Sequence, residues 1–381
     1  MAALTDNHLG RIVIRHLRPA QVDGPWPAKA YAGEVIPFIA TVFREGHDII
    51  GVDLELTAPN GDTTVIPFPH PAPGIDDWKV WARVPTQGVW TWRVRAYADD
   101  WSTWLHNADI KIAAGVDVDL MFRMGQDLLD RARDGQNTKT ALATLNRAHD
   151  ELGDAAKPAA DRLAAAHDAD LADALVDNYP VSLETHSATM TLVVERARSG
   201  YGAWYEFFPR SEGAVRAKNG TVTSGNFVTA RKRLKQIAKD GFDVLYLPPI
   251  HPIGVSNRKG PNNTLDAKPS DPGSPWAIGS SDGGHDAIHP ELGTLADFEG
   301  FVAEATKHGI EIALDLALQC SPDHPWVTEH PEWFTTLPDG TIAYAENPPK
   351  KYQDIYPLNF DNDYEGLRAE ILRVVELWIS R

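Results

Sequence analysis

Residues 309–319 read Gly-Ile-Glu-Ile-Ala-Leu-Asp-Leu-Ala-Leu-Gln, an apolar run that closes on polar side chains. In a parallel α/β sheet the strand interior is buried and its C-terminal end faces the ligand. Asp315 and Gln319 therefore stand where polar chemistry is done: a carboxylate accepts hydrogen bonds, and a carboxamide both donates and accepts. Lys259, taken alone, reads as a solvated loop charge. Asn347-Pro348-Pro349-Lys350-Lys351-Tyr352 combines donors and positive charge in a loop stiffened by proline. By itself it reads as a surface loop, though one able to hold a phosphate. His285, His289, His324 and His330 form neither a helix-face pair nor a Cys-His pattern, so they are expected to hydrogen-bond rather than ligate a metal. No Gly-x-Gly-x-x-Gly, Walker or Gly-x-Ser-x-Gly pattern occurs, and no cofactor is expected.

The elements that must position these residues fall into three stretches. Residues 1 to about 112 show period-two alternation, as in Val35-Ile-Pro-Phe-Ile-Ala-Thr-Val-Phe43 and Trp78-Lys-Val-Trp-Ala-Arg-Val84, with Asn60-Gly61 as a hairpin turn and Gly88 punctuating the next. Strands at this spacing predict an all-β sandwich over residues 1–114. Ala, Leu, Asp and Arg then dominate, with apolar residues at helical spacing (Leu120, Met121, Met124, Leu128; Leu142, Leu145, Ala148, Leu152), which predicts an α-helical bundle over 115–180. From about 199 the pattern is strand, loop, helix, repeated. Phe227–Lys239 is an amphipathic helix, residues 242–247 a strand, 294–308 a helix capped by Thr294, 310–318 a strand and 367–379 a helix. Long loops follow the second and third strands, where function is carried in barrels. The third domain, 181–381, is expected to be the first part of a (β/α)8 barrel.

Composition narrows the partners. A net charge of −17 argues against nucleic acid and an anionic membrane surface, but is no obstacle to a sugar. One cysteine, Cys320, excludes an internal disulfide and fits a reducing cytoplasm. Residues 1–8 lack the basic and apolar regions of a leader, and no apolar run is long enough to span a membrane.

Three segments in order resemble the α-amylase superfamily: Phe207-Phe-Pro, Leu247-Pro-Pro-Ile-His-Pro, and Gly284-His-Asp-Ala-Ile-His-Pro-Glu-Leu-Gly-Thr. Asp315 matches the aspartate of the superfamily's first signature, but Gln319-Cys320 stand where Asn-His is usual. The divergent pieces are similar to one subfamily, the α-1,4-glucan:maltose-1-phosphate maltosyltransferases. They are Tyr201-Gly-Ala-Trp-Tyr-Glu-Phe-Phe-Pro-Arg-Ser-Glu-Gly213, Arg258-Lys-Gly-Pro-Asn-Asn-Thr264, Leu318-Gln-Cys-Ser-Pro-Asp-His-Pro325 and Ala345-Glu-Asn-Pro-Pro-Lys-Lys-Tyr-Gln-Asp354.

The resemblance implies transfer of maltosyl units from maltose 1-phosphate to the non-reducing end of an α-1,4-glucan, with retention, by a cytoplasmic homodimer. It assigns Lys259, Gln319 and Asp354 to the maltosyl sugar and Asn347, Lys350 and Tyr352 to the phosphate. Asp315 is expected to orient neighbours. The resemblance puts the carboxylate nucleophile and acid after the fourth and fifth barrel strands. Residues 371–379 form a helix expected to precede the fourth, so no catalytic residue is assigned within the chain, which is expected to be an N-terminal part, inactive alone. Two other readings stand beside this one: an α-amylase-like hydrolase or isomerase, and a non-catalytic glucan-binding module.

Overall fold

In a computed structural model, residues 10–21, 26–136 and 138–381 are described. The stretch 1–8, read above for a leader, lies outside them. The chain divides into two compact units, one ending at Tyr201 and the other running Gly202–Arg381.

The first unit holds two sheets and a group of helices. Strands β1 (Val13–Arg18), β3 (Glu34–Phe43) and β6 (Asp77–Val84) form one antiparallel sheet. The second has the order β2-β9-β7-β4-β5, with β2 Ala28–Tyr31, β4 Ile50–Thr57, β5 Thr63–Pro67, β7 Gly88–Asp99 and β9 Met190–Glu195; β8 (Val181–His186) also pairs with β7. The alternation seen in the sequence has its cause in one shared core. The strictly alternating burial of β6 turns Trp78, Val80, Ala82 and Val84 inward, and Phe38 of one sheet meets Trp92 of the other edge to face at 5.1 Å. Asn60-Gly61 turns the β4–β5 hairpin, Gly61 taking φ +93. Gly88 does not turn a hairpin as the sequence suggested. β6 and β7 lie in different sheets, and Gly88, at φ +139, marks the crossing.

Helices α1 (Asp100–Ala113), α2 (Val118–Arg133), α3 (Lys139–Gly153), α4 (Ala159–Ala164) and α5 (Ala169–Leu175) share a second core built on Trp104, Phe122, Leu129, Leu145, Leu152 and Leu171. Two expectations are corrected here. Residues 100–112, read as part of an all-β segment, are helical: Asp99 caps the Ser102 amide, and Trp101, Trp104, Ala108 and Ile112 recur at helical spacing on the buried face. The expected boundary at 181 cuts through a sheet, because β8 and β9 hydrogen-bond onto β7, with Asp99 opposite Val181.

The second unit centres on a parallel sheet, β10 (Trp204–Glu206), β13 (Val244–Leu247) and β14 (Glu311–Leu314), in the order β10-β13-β14. A small hairpin, β11 (Val215–Arg216) with β12 (Val222–Thr223), precedes helix α6 (Phe227–Lys239). Helix α7 (Leu295–Lys307) connects β13 to β14; Thr294 and Asp297 form a reciprocal capping box at its start. Phe227, Leu234, Phe298 and Phe301 pack on the strand residues Leu245 and Leu247. Among the described residues no barrel is closed.

The third strand is shorter than 310–318. Its ladder with β13 stops at Leu247 opposite Leu314, because Pro248 and Pro249 follow Leu247 and carry no N–H to continue it. The chain then resumes as β15 (Gln319–Cys320), antiparallel to β18 (Tyr356–Pro357). Between them lie α8 (Pro325–Glu329) and the hairpin of β16 (Ala345–Asn347) with β17 (Lys350–Tyr352); α9 (Tyr364–Ile379) closes the chain.

Candidate functional site

The candidate site is built from three loops of the second unit. The first follows β13. Arg258 donates to the backbone carbonyls of Ile253 (3.1 Å), Gly254 (2.8 Å) and Asp271 (3.2 Å), folding this loop on itself. Lys259 follows, and it is buried with 6% exposure, so the solvated-charge reading is overturned. Its Nζ donates to Gln353 Oε1 at 3.3 Å and lies 3.8 Å from Asp354 Oδ1. Asp354 is itself 2% exposed, and its Oδ1 accepts no hydrogen bond among the described residues. Burial pushes its pKa above the usual carboxylate range, against the pull of its backbone amide and of Lys259. A buried carboxylate oxygen beside an ammonium group is a strong acceptor lacking a donor, and a sugar hydroxyl is a donor.

The second loop follows β14. Asp315 Oδ2 accepts from the Tyr246 hydroxyl at 2.5 Å and from Trp276 Nε1 at 2.8 Å. That bond is the first cause of the Tyr246 pKa rising to about 12. Asp315 thus orients an aromatic pair, and Phe208 meets Trp276 edge-on at 6.1 Å. Gln319 Nε2 donates to the Trp276 carbonyl at 3.1 Å, which joins Gln319 to the same group.

The third loop is the β16–β17 hairpin. Asn347 is opposite Lys350 at its tip, and Tyr352 is opposite Ala345 at its base. Asn347 and Lys350 are exposed and Tyr352 is half-buried. The hairpin base runs through Gln353 into Asp354, and Asn257 Nδ2 donates to the Gln353 carbonyl at 3.2 Å. The structure therefore brings Lys259 and Asp354 together, ties Gln319 to Trp276, and presents Asn347 and Lys350 on a neighbouring tip. Sequence reasoning missed Gln353 and Trp276; a glutamine beside an aspartate and one tryptophan among 12 carry no local signal.

The histidines go elsewhere. The Trp326 amide donates to His324 Nδ1 (3.0 Å), His324 Nε2 lies 3.0 Å from His285 Nδ1, and His285 Nε2 lies 2.8 Å from the Ala317 carbonyl. The amide and carbonyl at the two ends fix the direction: each neutral ring donates through Nε2 and accepts through Nδ1. His285 also stacks on Trp326 at 4.9 Å. His285, Cys320 and His324 are the group whose atoms lie close enough for a metal among the described residues. The chain of hydrogen bonds already uses both histidine atoms, and burial raises the Cys320 thiol pKa, away from the ligating thiolate. His289 Nδ1 accepts from the Glu291 amide and His330 Nδ1 meets Glu332, each at a helix start.

Residues 10–196 match the family model for domain N/S of α-1,4-glucan:maltose-1-phosphate maltosyltransferase. The chain is 52% identical over 374 residues to α-1,4-glucan:maltose-1-phosphate maltosyltransferase 1 of Streptomyces coelicolor, covering 98% of this chain and 54% of that protein. The enzyme of the same name from Mycolicibacterium smegmatis is 46% identical, with 97% of this chain and 57% of the relative covered. That of Mycobacterium tuberculosis is 44% identical, with 97% and 56% covered. The chain spans about half the length of the curated relatives it matches.

Proposed function

The chain belongs to the α-1,4-glucan:maltose-1-phosphate maltosyltransferase family, whose N-terminal part it matches, and from this premise we propose that it carries the donor-side half of a maltosyl-transfer site. The reaction moves maltosyl units from maltose 1-phosphate to the non-reducing end of an α-1,4-glucan with retention. Lys259, Gln319 and Asp354 hold the sugar; Asn347, Lys350 and Tyr352 hold the phosphate. The paired nucleophile and acid that retention requires are not assigned to residues here.

The observation that carries the reading is the buried Lys259–Asp354 pair with an acceptor oxygen free of hydrogen bonds among the described residues. An ammonium and a carboxylate side by side can accept from one sugar hydroxyl and donate to the next. The Lys350 charge sits on an exposed tip, where an anionic group is reached without desolvating the lysine in the free protein. In this reading the two sheets form a sandwich, the five helices a bundle, and the three parallel strands the opening of a (β/α)8 barrel in a cytoplasmic homodimer.

Calorimetric titration with maltose and maltose 1-phosphate tests the assignment. Lys350→Ala is expected to weaken maltose 1-phosphate alone, since a charge-assisted bond to phosphate contributes about 1.5–3 kcal/mol and maltose has no phosphate to lose. Asp354→Ala is expected to weaken both ligands alike. Equal losses for both ligands in Lys350→Ala would remove the phosphate role and move the amylase-like alternative ahead.

A further inference from the structure

Lys259 and Gln319 lie on different loops, and one side chain fastens the first loop to the segment that follows the second. Asp323 Oδ2 accepts from the backbone amides of Val255 (2.6 Å) and Ser256 (2.7 Å), and its Oδ1 accepts from the Ser256 hydroxyl at 2.6 Å. Four residues before Asp323 is Gln319; three residues after Ser256 is Lys259. Ser321 makes a second fastening in the same segment. Its amide donates to the Ile278 carbonyl (2.6 Å) and its hydroxyl to the Gly279 carbonyl (2.5 Å), while the same hydroxyl accepts from the Asp323 amide at 3.1 Å. The backbone approach is close: a Cβ on Gly254 would come within 2.4 Å of Ser321 Cβ and 3.2 Å of Asp323 Oδ2.

We infer that Asp323 is a positioning residue, holding the loop at 254–260 so that the Lys259 ammonium stays beside Asp354 and the sugar they bind. The inference rests on the sugar-site reading above. The argument is entropic. Lys259 lies 17 residues before Trp276, which its bond to Asp315 holds, so a tie at the start of the loop constrains the lysine from the other side. A loop tied at its start by three bonds to one carboxylate loses less freedom when a ligand arrives. Partial burial pushes the Asp323 pKa up, but the three bonds, with Arg258 adding its charge, outweigh it and hold the group below the usual range. It is thus a fixed anion across the neutral range, as a permanent clamp must be. Among the described residues Asp323 hydrogen-bonds to none of those assigned to the ligand, so its effect on the ligand is relayed by the loop that carries Lys259.

Two readouts on the full chain test this. Hydrogen exchange needs no ligand. Asp323→Asn, which takes the charge out of all three bonds and replaces one acceptor oxygen with a donor NH2, is expected to speed exchange at Val255, Ser256 and through 260 about tenfold or more and leave β13 and α7 unchanged. Ser256→Ala, at an exposed position, is the milder variant should Asp323→Asn fail to fold, and is expected to act in the same direction more weakly. Maltose affinity is the second readout. It is expected to fall about tenfold in Asp323→Asn, and the loss is expected to vanish when Lys259 is already alanine. Unchanged exchange in both variants would overturn the clamp. Faster exchange with unchanged maltose affinity, while Lys259→Ala and Asp354→Ala still weaken maltose, would overturn the positioning role and leave the sugar site standing. Maltose binding that ignores Lys259→Ala and Asp354→Ala as well would overturn the sugar site, and the inference with it.

Discussion

Lys259 Nζ stands 3.8 Å from Asp354 Oδ1 in a part of the second unit where both side chains are almost fully buried. Two charges taken out of water gain from each other only while both are present. Lys259→Met alone, or Asp354→Leu alone, is therefore expected to destabilise the unit by about 3–5 kcal/mol, since each leaves one buried charge behind. The double substitution is expected to cost clearly less than the sum of the singles. Urea unfolding of the three variants reads this coupling, and strict additivity would count against a mutual pair.

The buried histidines make the second unit acid-sensitive. Burial lowers His324 to about 3 and His251 to about 4, and lowers His285 as well. In the unfolded chain they titrate near about 6.5. The folded state binds fewer protons between these values, so stability rises with pH there. It is complete above about 6.5 and lost progressively as pH falls toward about 4. Each protonation also removes an acceptor, His324 Nδ1 losing the Trp326 amide and His285 Nδ1 losing His324. Denaturation midpoints should decline from pH 7 to 5, and His251→Phe should flatten the decline. Midpoints that stay level over that span would show that the rings accept protons in place.

Gly125 lies in α2 against Trp104, where an added Cβ would come within 2.1 Å of the indole ring. The ring cannot retreat freely, because Trp104 Nε1 donates to the Met121 carbonyl at 2.7 Å and Trp101 sits at 4.8 Å. Alanine gains about 1 kcal/mol of helix propensity over glycine. Overpacking costs about 1–3 kcal/mol, so the loss prevails. Gly125→Ala should lower the melting temperature of the first unit; an unchanged or higher one would mean that the helices part without cost.

Two buried tryptophans should respond differently to the same change. Trp104 has its indole bond; Trp92 Nε1 has no partner among the described residues although the ring is 1% exposed. Trp104→Phe forfeits a bond, whereas Trp92→Phe removes an unsatisfied donor that costs about 1–3 kcal/mol to bury. Trp104→Phe is expected to be the more damaging by about that amount, measured by urea unfolding of the two variants.

Local signals in the sequence carried over where short-range physics sets the outcome. Thr294 and Asp297 cap α7 as their spacing indicates, and Asn60-Gly61 turns its hairpin. The failures are long-range. Residues 190–195 join a sheet begun more than 150 residues earlier, pairing in parallel with Ala28–Tyr31, and no local pattern reports such a partner. Residues 100–112 follow directly on the strand that ends at Asp99, and that continuity masks the helical spacing of Trp101, Trp104, Ala108 and Ile112 behind the Asp99 cap. In the site, Asp315 was legible from its place at a strand end. The burial of Lys259 was not, because it arises from contacts with Gln353 and Asp354 more than 90 positions away.

The pairing of Asp99 with Val181 means that the five helices are inserted at the tip of a β-hairpin. The strands on either side are already in register, so the helical segment enters and leaves through one narrow doorway. Closing such a gap with a longer or shorter excursion changes the loop entropy only slowly, by about 0.6 kcal/mol for each doubling of length. The ladder between β7 and β8 carries its own register, with helix residues Asp100 and Arg131 adding bonds to Ser182 and Val181 at its end. A tight turn joining Asp99 to Val181 is expected to preserve the β7–β8 pairing, making this tip the position where the first unit can gain or lose a whole module.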